Sequence, residues 1–172
     1  MTARIGIGLV GAGRMGSIHA RLIARSVPEA RLVGIADVNR PAAQRLADEL
    51  GGPPVFGSID EMLAAPGIQA VLIATSSNRH LEAIQAAAAA GKDVLCEKPI
   101  ALTMADTLAG IAAADAAQVR LQVGFMRRWD PDYARARTRL ASGALGRPLT
   151  SGSAKEGGGG SESNWSDLNR IG

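Results

Sequence analysis

Three glycines follow the first apolar run of the chain with the spacing G-x-G-x-x-G. Gly11 permits a tight turn out of a strand, Gly13 lets the backbone approach a diphosphate, and Gly16 lets the next helix pack closely on the sheet. The free N–H groups of the first helical turn would then face the phosphates. The pattern predicts a dinucleotide site, although a glycine-rich turn between any strand and helix could produce the same spacing.

A carboxylate at the end of the second apolar run favours the same ligand. Asp37 lies 21 residues after Gly16, where it can accept hydrogen bonds from the hydroxyls of an adenosine ribose. Its simpler role is to cap the next turn. A 2′-phosphate beside Asp37 would meet like-charge repulsion of up to about 4 kcal/mol, which favours NAD. NADP is still possible because Arg40 could neutralise that phosphate, unless it is only a solvated residue of the first helical turn.

Lys98 is the strongest candidate for a catalytic residue. It follows the apolar run 93–96 and precedes Pro99, so it is expected at the end of a strand. An ammonium there can donate to a substrate hydroxyl and stabilise the alkoxide-like oxygen as hydride leaves its carbon. The simpler alternative is a surface lysine in a turn. Glu97 could hold the ammonium in place or face solvent.

Six further residues could belong to a binding site or serve only the structure. His80 opens a helix and could contact a cofactor or pack the helix, whereas His19, inside the first helix, is expected to be structural. Cys96 is expected to be a small buried hydrophobe. Of Arg127 and Arg128, one could reach substrate oxygens and the other form a surface ion pair. Trp129 is expected to pack, and no metal site is predicted.

The elements that must position these residues follow from the apolar runs. Strands are expected in the run that begins at Ile5 and at 31–36, 55–56, 70–74, 93–96 and 119–123, with helical patterns between them. Five repeats of this alternation predict an α/β fold, a doubly wound parallel sheet of the Rossmann type with helices on both faces. Ligands bind at the carboxyl ends of such strands, where the glycine turn, Asp37, the segment 75–80 and Lys98 all fall.

The chain divides by composition into three parts. Residues 1–125 are predicted to form the NAD(P)-binding domain, and residues 126–154 a helix followed by a strand at 149–154. Residues 155–172 are rich in Gly and Ser and are expected to form a poorly ordered tail.

Composition limits the partners. The chain has 172 residues, of which 47% are hydrophobic and 3% aromatic, as expected of small apolar helices on a parallel sheet. The net charge is +3, and basic residues alternate with acidic ones, so no nucleic-acid partner is expected. A single cysteine suits a reducing compartment, and the apolar runs are too short to span a membrane. We expect a cytoplasmic protein with no membrane contact.

The motifs VGAGRMG, ADVN, GKDVLCEKPIA and VGFMRRWDPDY together resemble the Gfo/Idh/MocA family of oxidoreductases, over about residues 4–154. The resemblance implies an NAD-dependent enzyme that oxidises a secondary alcohol of a ring polyol or sugar. By position it assigns the pyrophosphate to Gly11, Gly13, Arg14, Met15 and Gly16, and the ribose to Asp37. It assigns the nicotinamide side to Thr75, Ser76, Asn78 and His80 with Glu97 beside them, the reacting hydroxyl to Lys98, and substrate to Arg127.

The chain departs from the family in what it lacks. Family members continue into a second domain that supplies an Asp and a His for proton removal and forms the oligomer interface, whereas both histidines here precede residue 125. By this resemblance, residues 126–154 would be the connecting helix and the entry strand of that second domain, which is expected to be largely missing. The resemblance thus implies a truncated chain with weak or no activity, whose full-length form is a homo-oligomer. Loss of a positioned base would lower the rate by ~10²–10⁴. The alternative function is a non-catalytic dinucleotide-binding module or sensor.

Overall fold

The computed structural model describes residues 4–146. They fall into two compact units, a larger one that ends at Phe125 and a smaller one that begins at Met126. The strand expected at 149–154 and the tail expected at 155–172 lie outside the described residues.

The larger unit alternates strands with helices. Its strands are β1 Ile5–Val10, β2 Ala30–Ala36, β3 Val55–Phe56, β4 Ala70–Ile73, β5 Asp93–Cys96 and β6 Leu121–Val123. Its helices are α1 Arg14–Ser26, α2 Arg40–Glu49, α3 Ile59–Ala64, α4 His80–Ala89 and α5 Met104–Ala116, with a 3₁₀ turn at Ser77–Arg79. The smaller unit contains a 3₁₀ turn at Met126–Arg128 and helix α6 Pro131–Ala141.

The sheet has six strands in the order β3-β2-β1-β4-β5-β6, and all of its pairs are parallel. The strand order reverses between β1 and β4, which confirms the predicted doubly wound architecture. Val10 pairs with Ala36 on one side and with Ile73 on the other, and Ile73 pairs with Cys96. The residues that follow these strands therefore leave the sheet at one edge and at the same level.

Each face of the sheet has its own core. On one face, Leu9 and Leu72 pack with small residues of α1 and α2, such as Ala20 and Ala43. On the other face, Val71, Ile73 and Val94 pack with α3 and α4 through a cluster that includes Met62, Ala83 and Ile84. Alternate residues of β4 thus point to opposite cores, as expected for a strand buried on both sides.

Short polar side chains cap the N-termini of most of the helices. Ser58 Oγ accepts a hydrogen bond from the Glu61 N–H at 3.2 Å, and Thr103 Oγ1 accepts one from the Asp106 N–H at 3.0 Å. Helix α1 differs, because Gly13 occupies its N-cap position and no side chain caps it. The backbone donors of its first turn are left for another partner.

The last strand begins later than its sequence indicates. An apolar residue at 119 predicts the start of β6 there, yet β6 begins at Leu121. Gln118 adopts a left-handed φ of 56°, and the Val119 N–H donates to the Ala114 carbonyl at 3.1 Å. Val119 therefore closes the end of α5 instead of extending the strand.

Candidate functional site

The glycine turn between β1 and α1 fits only glycine at two of its positions. Gly11 has a φ of 97°, and a Cβ there would lie 2.7 Å from the carbonyl group of Ala74 at the end of β4. A Cβ on Gly16 would lie 1.8 Å from the Gly11 carbonyl oxygen. The turn is therefore as tight, and the helix as close to the sheet, as the glycine spacing predicts.

Gly13 is in the opposite situation. A Cβ at this position would have no neighbour within 4 Å, so the backbone of the N-cap faces open space. Arg14 beside it is exposed, whereas Met15 is half-buried and its side chain packs against the core between the sheet and α1. An uncapped helix start that carries a partial positive charge, with open space before it, fits the diphosphate of a dinucleotide.

Asp37 is anchored at the end of β2 by both of its carboxylate oxygens. Oδ2 accepts a hydrogen bond from the Ala12 N–H at 2.5 Å, and Oδ1 accepts one from the Asn39 N–H at 2.7 Å. The second contact is the turn-capping role, so the two interpretations of Asp37 are compatible. Each oxygen keeps a lone pair for a further donor such as a ribose hydroxyl. Arg40 is exposed in the first turn of α2.

A cavity of about 530 Å³ joins these features. It is bordered by Gly11 and Gly13 of the turn, by Asp37 and Val38 after β2, and by Thr75 and Ser76 after β4. It therefore opens along the line where the strand order reverses. Its volume is in the range of cofactor sites, and its position is the one where doubly wound sheets bind dinucleotides.

The segment after β4 carries one residue whose place differs from the sequence expectation. Ser76 and Asn78 are exposed at the rim, and Thr75 Oγ1 donates to the Ser76 carbonyl at 3.3 Å. His80 is instead 1% exposed, with Nδ1 2.7 Å from the Pro99 carbonyl oxygen and Nε2 3.2 Å from that of Thr75. Since both ring nitrogens face backbone carbonyls beneath the rim, the geometry does not support the expected contact of His80 with the cofactor. It supports the packing role.

Glu97 neither binds the Lys98 ammonium nor faces solvent. Its side chain is 11% exposed, and Oε1 lies 2.7 Å from Nε2 of His19 on α1. Its Oε2 accepts a hydrogen bond from the backbone N–H of Lys98 at 3.2 Å. Sequence reasoning missed the contact with His19. The spacing could have indicated it, because His19 lies three residues after Gly16, and residues three apart share one side of a helix. His19 therefore lies on the side of α1 that faces the sheet.

Lys98 lies at the end of β5, exposed, with no side-chain hydrogen bond or ion pair within residues 4–146. Its peptide bond to Pro99 is cis. The ammonium is thus able to donate to a ligand, and the strand end fixes its backbone.

Cys96, the last residue of β5, is inert. It is 0% exposed, and its Sγ donates to the Glu97 carbonyl at 3.3 Å. Burial, and secondly the negative charge of Glu97, raise the pKa of this thiol to about 12. The structure confirms the expected role as a small buried hydrophobe.

Three of the residues singled out in the sequence belong to the smaller unit: Arg127, Arg128 and Trp129. The guanidinium of Arg127 lies 5.1 Å from the centre of the Tyr133 ring, a cation–π distance. Arg128 is exposed, and Trp129 is 73% exposed, so the packing expected of Trp129 is wrong within the described residues. It lies between a 3₁₀ turn and α6, and it adds no side chain to a core there.

Two kinds of site are absent from the part of the chain that the structure describes. No group of three or more His, Cys, Asp or Glu side chains is arranged to hold a metal ion. No helix among residues 4–146 has the length and apolar character needed to cross a bilayer.

Two bacterial inositol dehydrogenases match most of this chain. The scyllo-inositol 2-dehydrogenase (NAD(+)) of Bacillus subtilis is 38% identical over 149 residues, which cover 87% of this chain and 44% of the relative. The inositol 2-dehydrogenase of Streptomyces avermitilis is 41% identical over 150 residues, again 87% of this chain and 44% of the relative. The chain thus spans less than half the length of these curated relatives.

The structure of the chain is similar to that of another inositol dehydrogenase. The scyllo-inositol dehydrogenase of Lactobacillus casei, crystallised with NAD(H) and scyllo-inositol, superposes with a TM-score of 0.79 at 38% identity. The match covers 83% of this chain and 42% of that one. The family model described as "Oxidoreductase family, NAD-binding Rossmann fold" matches residues 5–125, which contain the whole sheet and the glycine turn. The chain therefore belongs to the Gfo/Idh/MocA oxidoreductase family and carries its NAD-binding domain.

Proposed function

We propose that this chain binds NAD in the cavity beside the glycine turn and forms the cofactor half of a dehydrogenase that acts on a secondary alcohol of a ring polyol or sugar, such as myo-inositol. The observation that carries the proposal is the uncapped start of α1 at Gly13, which opens into a cavity that also borders Asp37. Lys98 lies exposed at the end of a strand beyond that cavity.

The residues of the turn and of β2 would bind the adenosine half. The backbone of Gly11 and Gly13, with the N–H groups of Arg14, Met15 and Gly16, would hold the diphosphate. Asp37 would accept hydrogen bonds from the ribose with the lone pairs that its two backbone contacts leave free. An ionised Asp37 disfavours a 2′-phosphate, so NAD is the preferred cofactor and NADP, helped by Arg40, the weaker one.

Bound NAD supplies the acceptor for a hydride. Thr75, Ser76 and Asn78 at the end of β4 would border the ring that receives it. Lys98 would donate a hydrogen bond to the alcohol oxygen and stabilise the negative charge that develops there as hydride leaves. Arg127 would contact substrate oxygens. These residues orient the alcohol; they do not remove its proton.

Neither histidine is placed to act as the general base. His19 is engaged with Glu97, and His80 is buried between backbone carbonyls. Without a positioned base the rate would be lower by ~10²–10⁴, so turnover by this chain alone is expected to be slow. By its family resemblance, the whole protein is proposed to be a homo-oligomer. The single cysteine of the chain fits a cytoplasmic location, which we propose as well.

The second candidate function is a dinucleotide-binding module or sensor without catalysis. One observation favours it: both histidines are committed to other contacts. Such a module would bind the cofactor through the same turn and the same carboxylate.

One pair of measurements tests the proposal. Fluorescence titration with NADH should show saturable binding, and an absorbance assay of NAD with myo-inositol should show slow NADH formation that Lys98→Met abolishes. Binding without any turnover would favour the module. Absence of NADH binding by the folded chain would contradict both functions.

A further inference from the structure

The two histidines of the chain contact the two residues that flank Lys98. His19 Nε2 lies 2.7 Å from the Glu97 carboxylate, and His80 Nδ1 lies 2.7 Å from the Pro99 carbonyl oxygen. The histidines approach from opposite faces of the sheet, because α1 packs in the core with Leu72 and α4 packs in the core with Ile73. The segment that carries Lys98 is thus held from both sides.

Of these two contacts, that of His19 is the one that a substitution can remove without disturbing a core. The His19 side chain is 26% exposed, so it can be replaced without opening a core, whereas His80 is 1% exposed. Glu97 uses both carboxylate oxygens, one toward His19 and one toward the backbone N–H of Lys98. If His19 were lost, a carboxylate that is 11% exposed would lack one protein partner and would turn toward water. That rotation would also release the Lys98 N–H.

This cluster lies at the end of the site away from the adenosine. Asp37 follows β2 on one side of β1, whereas Glu97 follows β5 on the other side, and the Glu97 N–H donates to the Ile73 carbonyl at 2.9 Å. A dinucleotide bound where the strand order reverses, with its adenosine toward Asp37, extends its nicotinamide toward the ends of β4 and β5.

We propose that His19 is a positioning residue that acts through Glu97 to hold Lys98 at the nicotinamide end of the site. The inference rests on the proposed function. It assigns His19 no contact with cofactor or substrate. Because Glu97 would lie beside the nicotinamide, it predicts that loss of His19, which moves Glu97, weakens only the nicotinamide half of binding.

ADP-ribose, which is NADH without its nicotinamide ring, separates this role from a general effect on folding. In His19→Ala, we expect NADH affinity to fall about fivefold, the equivalent of one ordinary hydrogen bond, while ADP-ribose affinity is unchanged. His19→Gln should restore NADH affinity, because its amide nitrogen can reach the place of Nε2 and donate to Glu97. Ile18→Ala, an exposed neighbour on the same helix, is the matched control and should bind both ligands as the wild type does.

The NMR signal of the Lys98 backbone amide reports on the same contact. Lys92, Lys98 and Lys155 are the lysines of the chain, so selective ¹⁵N-lysine labelling gives a sparse amide spectrum in which Lys98→Arg identifies the Lys98 signal. His19→Ala should shift the Lys98 signal and leave that of Lys92 in place, and His19→Gln should return it. In a Glu97→Ala background, His19→Ala should cause no additional loss of NADH affinity.

The outcomes separate the inference from the function on which it rests. If the wild type binds NADH but His19→Ala leaves both the affinity and the Lys98 signal unchanged, or weakens NADH and ADP-ribose equally, the positioning role is overturned alone. If the folded wild type binds neither ligand, the proposed function is overturned and the positioning role with it.

Discussion

The Asp37 carboxylate is bonded to the backbone of the glycine turn: its Oδ2 accepts the N–H of Ala12 at 2.5 Å. The end of β2 is thereby tied to the turn that leaves β1. A residue assigned to the ribose therefore also fixes the backbone that is to hold the diphosphate, and a change at Asp37 should affect both halves of the adenosine site.

Asp37→Asn tests this coupling. Asparagine has one acceptor oxygen and no charge, so it cannot serve Ala12, Asn39 and a ribose as the carboxylate does. Hydrogen bonds to a charged group contribute about 1.5–3 kcal/mol each, so NAD affinity should fall about tenfold or more. NADP affinity should fall less, because the repulsion of its 2′-phosphate is relieved. Calorimetric titration of both cofactors measures the difference.

Arg40→Ala is the control for that experiment. It removes the positive charge in the first turn of α2 and leaves the contacts of Asp37 with Ala12 and Asn39 in place. It should weaken NADP and leave NAD almost unchanged. Tighter binding of NADP than of NAD by the wild type would contradict the assigned cofactor preference.

Two glycines of the turn should respond oppositely to the same substitution. In Gly13→Ala the new methyl has no protein neighbour within 4 Å, so stability should change by less than about 1 kcal/mol. It enters the space assigned to the diphosphate, however, and NADH affinity should fall at least about tenfold. Thermal unfolding and NADH titration of one sample measure both effects.

Gly16→Ala gives the matched contrast. Its Cβ would lie 1.8 Å from the Gly11 carbonyl oxygen, so helix and turn must separate, at about 2 kcal/mol or more of stability. If Gly13→Ala lost stability but kept its NADH affinity, the diphosphate would not bind beside Gly13, and its assigned position would be wrong.

The parallel sheet and the level of its strand ends could be predicted because they depend on apolar runs and glycine spacing, which are local in sequence. The environment of His19 could not, since its partner Glu97 is 78 residues away and the contact arises only when α1 lies across the end of β5. The choice between the two roles of His80 could not be made for a related reason. The Pro99 carbonyl that its Nδ1 contacts belongs to a residue 19 positions away, and a backbone group leaves no mark in the residue pattern.

The thiol of Cys96 should be unreactive in the folded chain. With its pKa raised to about 12 by burial, only about one thiol in 10⁴ is ionised near pH 8, and the thiolate is the reacting form. A disulfide reagent such as DTNB should leave the native protein unmodified and react with its one cysteine after denaturation. Rapid reaction without denaturant would mean that the end of β5 opens, which would also weaken the placement of Lys98.

The pair of Asp93 and Arg120 links β5 to the residue before β6 and should make stability depend on acidity. Asp93 Oδ1 accepts the Arg120 N–H at 2.9 Å and Oδ2 accepts from the guanidinium, and these hydrogen bonds and the positive charge lower the pKa of Asp93. Because the folded value lies below the unfolded one, the stabilisation is present above an ordinary aspartate pKa of about 3.8 and is lost as pH falls through the lower folded value.

Thermal unfolding from about pH 5 down to about pH 2 measures this loss. Asp93→Asn should show a smaller decrease in Tm over that range than the wild type, because it lacks the group whose protonation breaks the pair. Asp115→Asn removes an exposed carboxylate of α5 and should follow the wild-type curve. Parallel curves for wild type and Asp93→Asn would mean that the pair does not stabilise the edge of the sheet, leaving β6 held by its backbone hydrogen bonds to β5 and by the packing of Leu121 against the core.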